Sequence, residues 1–255
     1  MGREIAPVRI LVGIDDTDNH ESRGTGFRAR DFGLHLMSKG LARLKGVSRH
    51  QLYVHPDIPY TSHNSALCLD LEWRDGNDLT SLIDGCRAYL AENAAAGSDA
   101  GFCVAPFEAI GDDLVAFGRD AKSTVLTKAD AAALAVRSGF HLEGVTGDHG
   151  GIIGSLACVG LRKSGHDGRF VWVEGVRNLA GITTIGALLG ATGIDVLQGV
   201  QHQACDYKDS DRIDVSPWPR PVLLNHKAVL LIEKAENEHA GCEWKIVPRE
   251  GTKHY

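Results

Sequence analysis

Asp15, Asp16 and Asp18 fall within four residues at the end of an apolar run, Val8–Ile14. Carboxylates this close repel one another unless a cation or hydrogen bonds hold them. Hard oxygen ligands suit Mg²⁺, which takes one or two protein carboxylates and completes its octahedron with water and phosphate oxygens. Spacing alone leaves two readings level: a phosphate-bridging metal site at Asp15, Asp16 and Asp18 with Thr17 among them, or solvated turn residues of which one caps the next helix. The next residues along the chain favour the first. Arg23-Gly24-Thr25-Gly26 leads into a helix bearing Arg28. Glycines let backbone N–H groups approach an anion, and a helix N-terminus carries partial positive charge. Gly24, Thr25, Gly26 and Arg28 are therefore candidates for binding a nucleotide phosphate.

A second glycine cluster, Gly147-Asp148-His149-Gly150-Gly151-Ile152-Ile153-Gly154, also precedes a helical stretch. Gly150 and Gly151 are placed to meet another part of an anionic ligand, and His149 is a candidate acid, base or phosphate donor. A tight turn followed by close packing at Gly154 and Gly160 is the competing explanation. Between the clusters lies Pro56–Ser65, a loop dense in hydrogen-bonding side chains. Tyr60, Thr61, Ser62, His63 and Asn64 read hydroxyl, amide or ring-nitrogen groups but carry no permanent positive charge, so they suit the acceptor side of a site. Lys163, His166, Asp167 and Arg169 read as a solvated polar turn. The acidic tract Asp206–Asp214 lacks the Gly and terminal Glu of a calcium hand.

These segments need elements to hold them. Val8–Ile14 reads as a buried strand, Gly26–Leu44 as a helix, His50–Val54 and Ala66–Trp73 as strands, Leu79–Ala96 as a helix and Gly101–Ala105 as a strand. That order, β-α-β-β-α-β, is that of a ferredoxin-like unit. From Pro106 the character turns helical, at Asp112–Arg119 and at Lys128–Ser138 behind Thr127. The expectation is an α+β chain: a ferredoxin-like lobe over 1–105 carrying the acidic site, and a second α/β lobe over 106–255 carrying the loop 147–154. In the second lobe, Ile152–Leu161 and Thr183–Ala191 read as helices. Arg169–Val176, Leu223–Ala235 and Cys242–Val247 read as strands, the last two joined by the polar turn Glu236–Gly241.

At 255 residues, 43% hydrophobic and 24% charged, the chain has the composition of an ordinary globular protein. Its net charge of -6 supplies no overall positive field for a polyanion. No apolar run approaches the roughly 20 residues that span a bilayer. The opening Met1-Gly2-Arg3-Glu4-Ile5 lacks the features of a signal peptide, so the expected location is cytoplasmic. The six cysteines form no C-x-x-C pair, which argues against a zinc ribbon.

Gly13-Ile14-Asp15-Asp16-Thr17-Asp18, then Asp57-Ile58-Pro59-Tyr60, then Gly150-Gly151-Ile152-Ile153-Gly154-Ser155-Leu156-Ala157 resemble, in this order, the catalytic part of the archaeal tRNA 2-agmatinylcytidine synthetase family. In that family a kinase-like and a ferredoxin-like domain use ATP and Mg²⁺ to activate a tRNA cytidine for attack by agmatine. The resemblance implies that Asp15, Asp16 and Asp18 hold metal and phosphates while the Gly150 cluster completes the site. The family continues into an OB-fold and a zinc ribbon that grip tRNA, whereas this sequence stops at Tyr255. It also reads Thr61-Ser62-His63-Asn64-Ser65 where the family loop is rich in Arg and Gly. The expectation is thus an ATP- and Mg²⁺-dependent, ligase- or kinase-like enzyme that activates a small-molecule or nucleoside acceptor, with tRNA disfavoured as partner. The alternatives are a tRNA-modifying synthetase working with a separate tRNA-binding chain, and a nucleotide-binding regulator without turnover.

Overall fold

The computed structural model describes residues 6–61, 63–74, 76, 78–200, 203–235, 241–253 and 255. The chain divides into two compact units, Met1–Ser164 and Gly165–Tyr255.

The first unit is built on five strands: β1 (Val8–Asp15), β2 (Ala42–Gln51), β3 (Ser65–Trp73), β4 (Gly101–Pro106) and β5 (His141–Gly144). They lie in the order β5-β4-β1-β3-β2, with every neighbouring pair antiparallel. Helix α1 (Thr25–Ser38) joins β1 to β2, and α2 (Thr80–Asn93) joins β3 to β4. The first four strands and two helices thus have the element order of the ferredoxin-like unit expected from the sequence.

The central strands are buried along nearly their whole length because both sheet faces are covered. On one face α1 packs on β2 and β3, close enough that a Cβ on Gly33 would meet Leu44 and Leu69. On the other lies α5 (Ile152–Ser164), which is itself overlaid by α3 (Asp112–Asp120) and α4 (Lys128–Ser138). Leu11, Cys68, Cys103 and Ala105 of the sheet share a core with Leu156, Ala157 and Val159 of α5 and with Leu114 and Phe117 of α3. Residues 106–164 therefore complete the first unit, and the boundary lies at Ser164/Gly165, not near Pro106. Their helical character marks a second layer on the same sheet, which a change of local composition does not distinguish from a new domain.

The first helix and the strand after it differ from the sequence reading for an identifiable reason, whereas α4 falls where it was expected. The first helix ends at Ser38, not Leu44: Gly40 takes a left-handed φ of 71°, and its N–H donates to the Met37 carbonyl at 3.0 Å. Leu41 and Met37, which fit a helical apolar face, are each 41% exposed, while Ala42 and Leu44 begin the alternation of β2. Further on, Thr127 and Asp130 form a capping box at α4, and Gly139 closes that helix at φ 69°. The short edge strand β5 follows.

The second unit holds β6 (Arg169–Trp172), β7 (Ile182–Thr184), α6 (Ile185–Ala191), β8 (Val196–Gln198), β9 (Arg212–Asp214), β10 (Val222–Leu224), β11 (Lys227–Lys234) and β12 (Trp244–Ile246). β10 pairs with β6 and β11 in antiparallel fashion. One part of β11, Val229–Leu231, runs parallel to β8, and its end, Ile232–Lys234, pairs with β12. β12 continues to β9, and β9 to β7. The single strand expected over Leu223–Ala235 is a hairpin instead. Asn225 and His226 turn the chain at φ 49° and 63°, a two-residue connection whose positive φ values match strand twist. Of the turn Glu236–Gly241, residues 236–240 lie outside the described residues. One core gathers Phe170, Ile185, Leu188, Leu197, Leu230 and Trp244. A smaller one on the other face holds Val222, Leu224, Val229, Leu231 and Val247.

Among the described residues, no helix is long and apolar enough to cross a membrane.

Candidate active site

The carboxylate end of β1 opens into a cleft of the first unit. Its floor is set by three backbone approaches that only glycine permits. A Cβ on Gly13 would lie 1.9 Å from the Ser155 carbonyl oxygen, one on Gly101 2.5 Å from the Ile152 nitrogen, and one on Gly151 2.7 Å from the Asp15 carbonyl oxygen. Helix α5 thereby begins directly over the ends of β1 and β4. Gly154, in its first turn, faces Asp15: a Cβ there would lie 1.9 Å from Asp15 Oδ2. Gly160, by contrast, serves close packing, since its Cβ would lie 2.0 Å from the Leu114 carbonyl oxygen.

The charge in this cleft is lopsided. Asp15, Asp16, Asp18, Asp57, Asp99 and Asp148 all line it, and among the described residues Lys128 is the one lysine or arginine of the lining. Lys128 is itself paired with Asp148 at 3.2 Å. Burial, reinforced by the charges of Asp16 and Asp18, pushes the Asp15 carboxyl up to about 8. Burial and then the charges of Asp99, Asp18 and Asp148 raise Asp16 to about 6. Asp16 also sits at φ 52°, a left-handed conformation that costs a non-glycine residue free energy and that clusters at functional sites. Carboxylates held this close repel one another unless a cation or hydrogen bonds offset their charge.

The three aspartates do not converge as a ligand set. Among the described residues, no group of three or more His, Cys, Asp or Glu side chains is gathered to hold a metal. Asp18 is engaged otherwise: its Oδ1 accepts from the Thr25 hydroxyl at 2.9 Å and its Oδ2 from the Thr61 hydroxyl at 3.3 Å. Thr17 is fully buried, its N–H and hydroxyl both directed to Thr25 Oγ1, so it braces the turn. Asp15 and Asp16, each accepting a backbone N–H, are the two candidates left of the three. Two carboxylates suffice for Mg²⁺, which keeps several water or phosphate ligands.

The other sequence candidates separate into those the cleft gathers and those it does not. Thr25, Tyr60, Thr61, His63, Asn64, Gly150 and Gly151 line it. Ser62 lies outside the described residues. The amides of the second glycine cluster are in use: Gly150 N–H donates to Asp148 Oδ1 and Gly151 N–H to the Asp99 carbonyl oxygen, each at 2.8 Å. The Asn64 side-chain amide donates to the Tyr53 carbonyl oxygen at 2.5 Å, bracing the loop's return into β3.

Gly24, Gly26, Arg28 and His149 are not among the lining residues. The Arg28 guanidinium donates to the carbonyl oxygens of Asn93 and Arg23, tying α1 to the end of α2. His149 is exposed and sits against Gly144, where a Cβ would come within 2.2 Å of its own Cβ. The combination of positive φ at His149, 68°, with that contact turns the imidazole toward β5.

Asp99 is a participant that local pattern misses. Its Oδ1 accepts from the Asp148 N–H at 2.6 Å, and its charge acts on Asp16. It precedes β4, and Asp15 pairs with Gly101 in the β1–β4 register. The signal was available in topology: once β1 and β4 are antiparallel neighbours, the residues entering β4 lie beside those leaving β1. Asp57 and Lys128 carry no comparable signal, since only packing brings their loops across the cleft.

Comparisons with known proteins agree with this architecture. No family model matches the chain. An uncharacterized protein of Methanocaldococcus jannaschii is 25% identical over 155 residues, 61% of this chain and 50% of its own length. Among solved structures, the complex of TiaS with an isoleucine tRNA and ATP matches with a TM-score of 0.53 at 26% identity, covering 60% of this chain and 36% of that one. A tRNA fluorescent labeling enzyme matches with a TM-score of 0.52 at 27% identity over the same shares of each chain. Apo TiaS, a tRNA agmatidine synthetase, gives 0.51 at 25% identity. The chain thus spans about a third of the length of these structures, and the likeness to agmatidine synthetase read from the hexapeptide holds at the level of structure. The expectation that tRNA is disfavoured finds no support there, since a matched structure has tRNA bound.

Proposed function

We propose that this chain carries the nucleotide-activating part of a tRNA-modifying synthetase related to agmatidine synthetase, dependent on ATP and Mg²⁺ and working in the cytoplasm. The observation that carries this reading is the cleft at the end of β1, where Asp15 and Asp16 lie with Asp99 and Asp148 and, among the described residues, Lys128 is the one lysine or arginine of the lining. A bare polyphosphate is repelled by such a lining, and a Mg²⁺ shared between carboxylates and phosphate oxygens would offset that repulsion. Asp15 and Asp16 would hold the Mg²⁺, which supplies neutralisation of the charge on phosphate oxygens.

The chain's own contributions rest on its contacts. Gly154 leaves the space that the Asp15 carboxylate fills at the N-terminus of α5. Asp18, bonded to Thr25 and Thr61, fixes the acceptor loop to the acidic turn. Tyr60 and His63 then line the cleft with groups that recognise the uncharged edge of a nucleoside, and no lysine or arginine of the loop competes for phosphate. The activation is a phosphoryl or nucleotidyl transfer to that nucleoside, which makes the enzyme ligase- or transferase-like.

Multiple-turnover ATP consumption by the purified chain, with and without unmodified tRNA, tests this reading. The expected result is turnover that needs Mg²⁺, rises with tRNA and falls at least about 100-fold in Asp16→Asn, the scale of losing one electrostatic contact to reacting phosphate. Turnover that is indifferent to tRNA, or equal in the variant, would overturn it.

A further inference from the structure

The second unit gathers arginines on one face of its sheet. β6 and β10 pair with Arg169 opposite Val222, flanked by bonds from Leu223 N–H to the Gly168 carbonyl oxygen at 2.9 Å and from Phe170 N–H to the Pro221 carbonyl oxygen at 2.8 Å. The pairing therefore continues past Val222. Side chains alternate along a strand, so Arg220, two residues before Val222, projects from the same face as Arg169 and stands diagonally next to it. That face carries the smaller core of Val222, Val229, Leu231 and Val247. Val247 leads after one further residue into Arg249, which opens the 3-10 turn Arg249–Thr252. Gly251 folds this turn back on Val247, since a Cβ there would lie 2.5 Å from Val247 Cγ1. The chain end thus delivers a third guanidinium to the face that bears the other two.

Among the described residues, no carboxylate is ion-paired with these charges. Arg169 is half-buried, and its pKa is lowered by burial and then by the charges of Arg249 and Arg220. Like charges brought together at the rim of a core, without acids between them, cost stability and are accounted for when a polyanion supplies the missing charge. Beside them, the Arg177 guanidinium stands 5.1 Å from the Trp218 ring centre and donates to the Val171 carbonyl oxygen at 3.4 Å. An arginine with an indole is a combination that also stacks on unpaired bases.

We propose that Arg169, Arg220 and Arg249 form a binding site for the phosphate backbone of RNA on the C-terminal unit. Guanidinium forks match phosphate oxygens in pairs and keep their charge at every physiological pH. The choice of RNA among polyanions rests on the reading of the chain as part of a tRNA-modifying synthetase. The site itself rests on the second unit alone.

Fluorescence anisotropy of labelled, unmodified tRNA with the whole chain, over a series of salt concentrations, tests the proposal. R169Q/R220Q/R249Q is expected to weaken binding by about 10- to 100-fold and to reduce the slope of log affinity against log salt by about 3, because each phosphate contact contributes roughly one unit. The triple lysine variant keeps the charge and is expected to retain most of the slope. Should the triple glutamine variant fail to fold, R249Q at an exposed position is expected to lower the slope by about 1. An unchanged slope in R249Q and the triple variant, or no measurable tRNA binding by the wild type, overturns the proposal. ATP turnover measured in the same proteins separates the two readings. Arginine-dependent tRNA binding without tRNA-stimulated turnover upholds this site and defeats the proposed activity. Stimulated turnover with an unchanged salt slope does the reverse.

Discussion

Thr61 donates its hydroxyl to Asp18 Oδ2 across 3.3 Å, and because Asp18 Oδ1 accepts from Thr25, one carboxylate joins the loop before β3, the acidic turn and the start of α1. Thr61→Val removes the loop's tie while keeping its shape. A hydrogen bond to a charged group contributes about 1.5–3 kcal/mol when well made, and this long, partly exposed one should contribute less. The expected outcome is faster proteolysis of the loop and a fall in turnover of about 10-fold, the factor that corresponds to about 1.4 kcal/mol, with ATP affinity nearly unchanged. Equal losses in both quantities would mean that the loop holds nucleotide and not acceptor.

The carboxyl of Asp15 titrates near 8, far above its value in an unfolded chain. A folded state that binds a proton more tightly than the unfolded state is favoured while the proton is on, so this contribution is present at low pH and is lost as pH rises through about 8. Thermal melting of the metal-free chain should show stability declining between about pH 5 and pH 9, with Asp15→Asn flattening the decline. Mg²⁺ needs the carboxylate, so the gain in melting temperature on adding it should be larger at about pH 8.5 than at about pH 6. A metal effect that is independent of pH would remove Asp15 from the ligand set.

Two glycines of α5 should respond differently to alanine. In Gly154→Ala the added carbon meets the Asp15 side chain, Oδ2 and Cγ, so the carboxylate must shift as a whole while no backbone atom is in the way. Helix propensity improves by up to about 1 kcal/mol, so the chain keeps its stability and loses metal-dependent ATP binding by about 10-fold or more. In Gly160→Ala the carbon meets the Leu114 carbonyl oxygen of α3, which has nowhere to go. A loss of about 1–3 kcal/mol in denaturant unfolding is expected, with ATP affinity per folded molecule unchanged. Titration calorimetry alongside urea melts separates the two outcomes.

His149 and Arg28 both lie outside the cleft lining. His149→Ala should leave turnover within about twofold of wild type, because the ring touches no position where reacting atoms sit. Arg28→Gln should lower stability by about 1–2 kcal/mol through its lost bonds to Asn93 and Arg23, and leave ATP affinity alone. A hundredfold loss of turnover in His149→Ala would require the loop 147–151 to rearrange on binding substrate.

Much of this was legible in the sequence where one local signal decides. Thr127 with Asp130 three residues on marks a helix start without reference to anything else, and α4 begins there. The run Val8–Ile14 closed by acids reads as a strand, and β1 spans it. Local signals failed where tertiary contacts choose. Val222–Ile232 contains no glycine or proline, and only the left-handed pair Asn225-His226 breaks it into a hairpin. The helix of Gly26–Leu44 ran on because Met37 and Leu41 keep helical spacing, though neither is buried. Arg28 has the charge and position of a phosphate ligand, yet two backbone carbonyls of its own unit claim it. Asp99 needed the strand order before its place beside Asp16 could be inferred.

The approach of Gly13 to Ser155 bears on how motifs of this kind drift. The position tolerates no side chain because strand and helix backbones touch there, whatever chemistry the cleft performs. The aspartates two and three residues on answer to burial and to one another's charge, not to that backbone contact. Gly13-Ile14-Asp15-Asp16-Thr17-Asp18 is consequently a composite, part gauge of an interlayer distance and part electrode. A descendant that abandoned its reaction would be free to lose the acids while still obliged to keep the glycine. A relative retaining Gly13 without Asp15 and Asp16 would share the scaffold and nothing more.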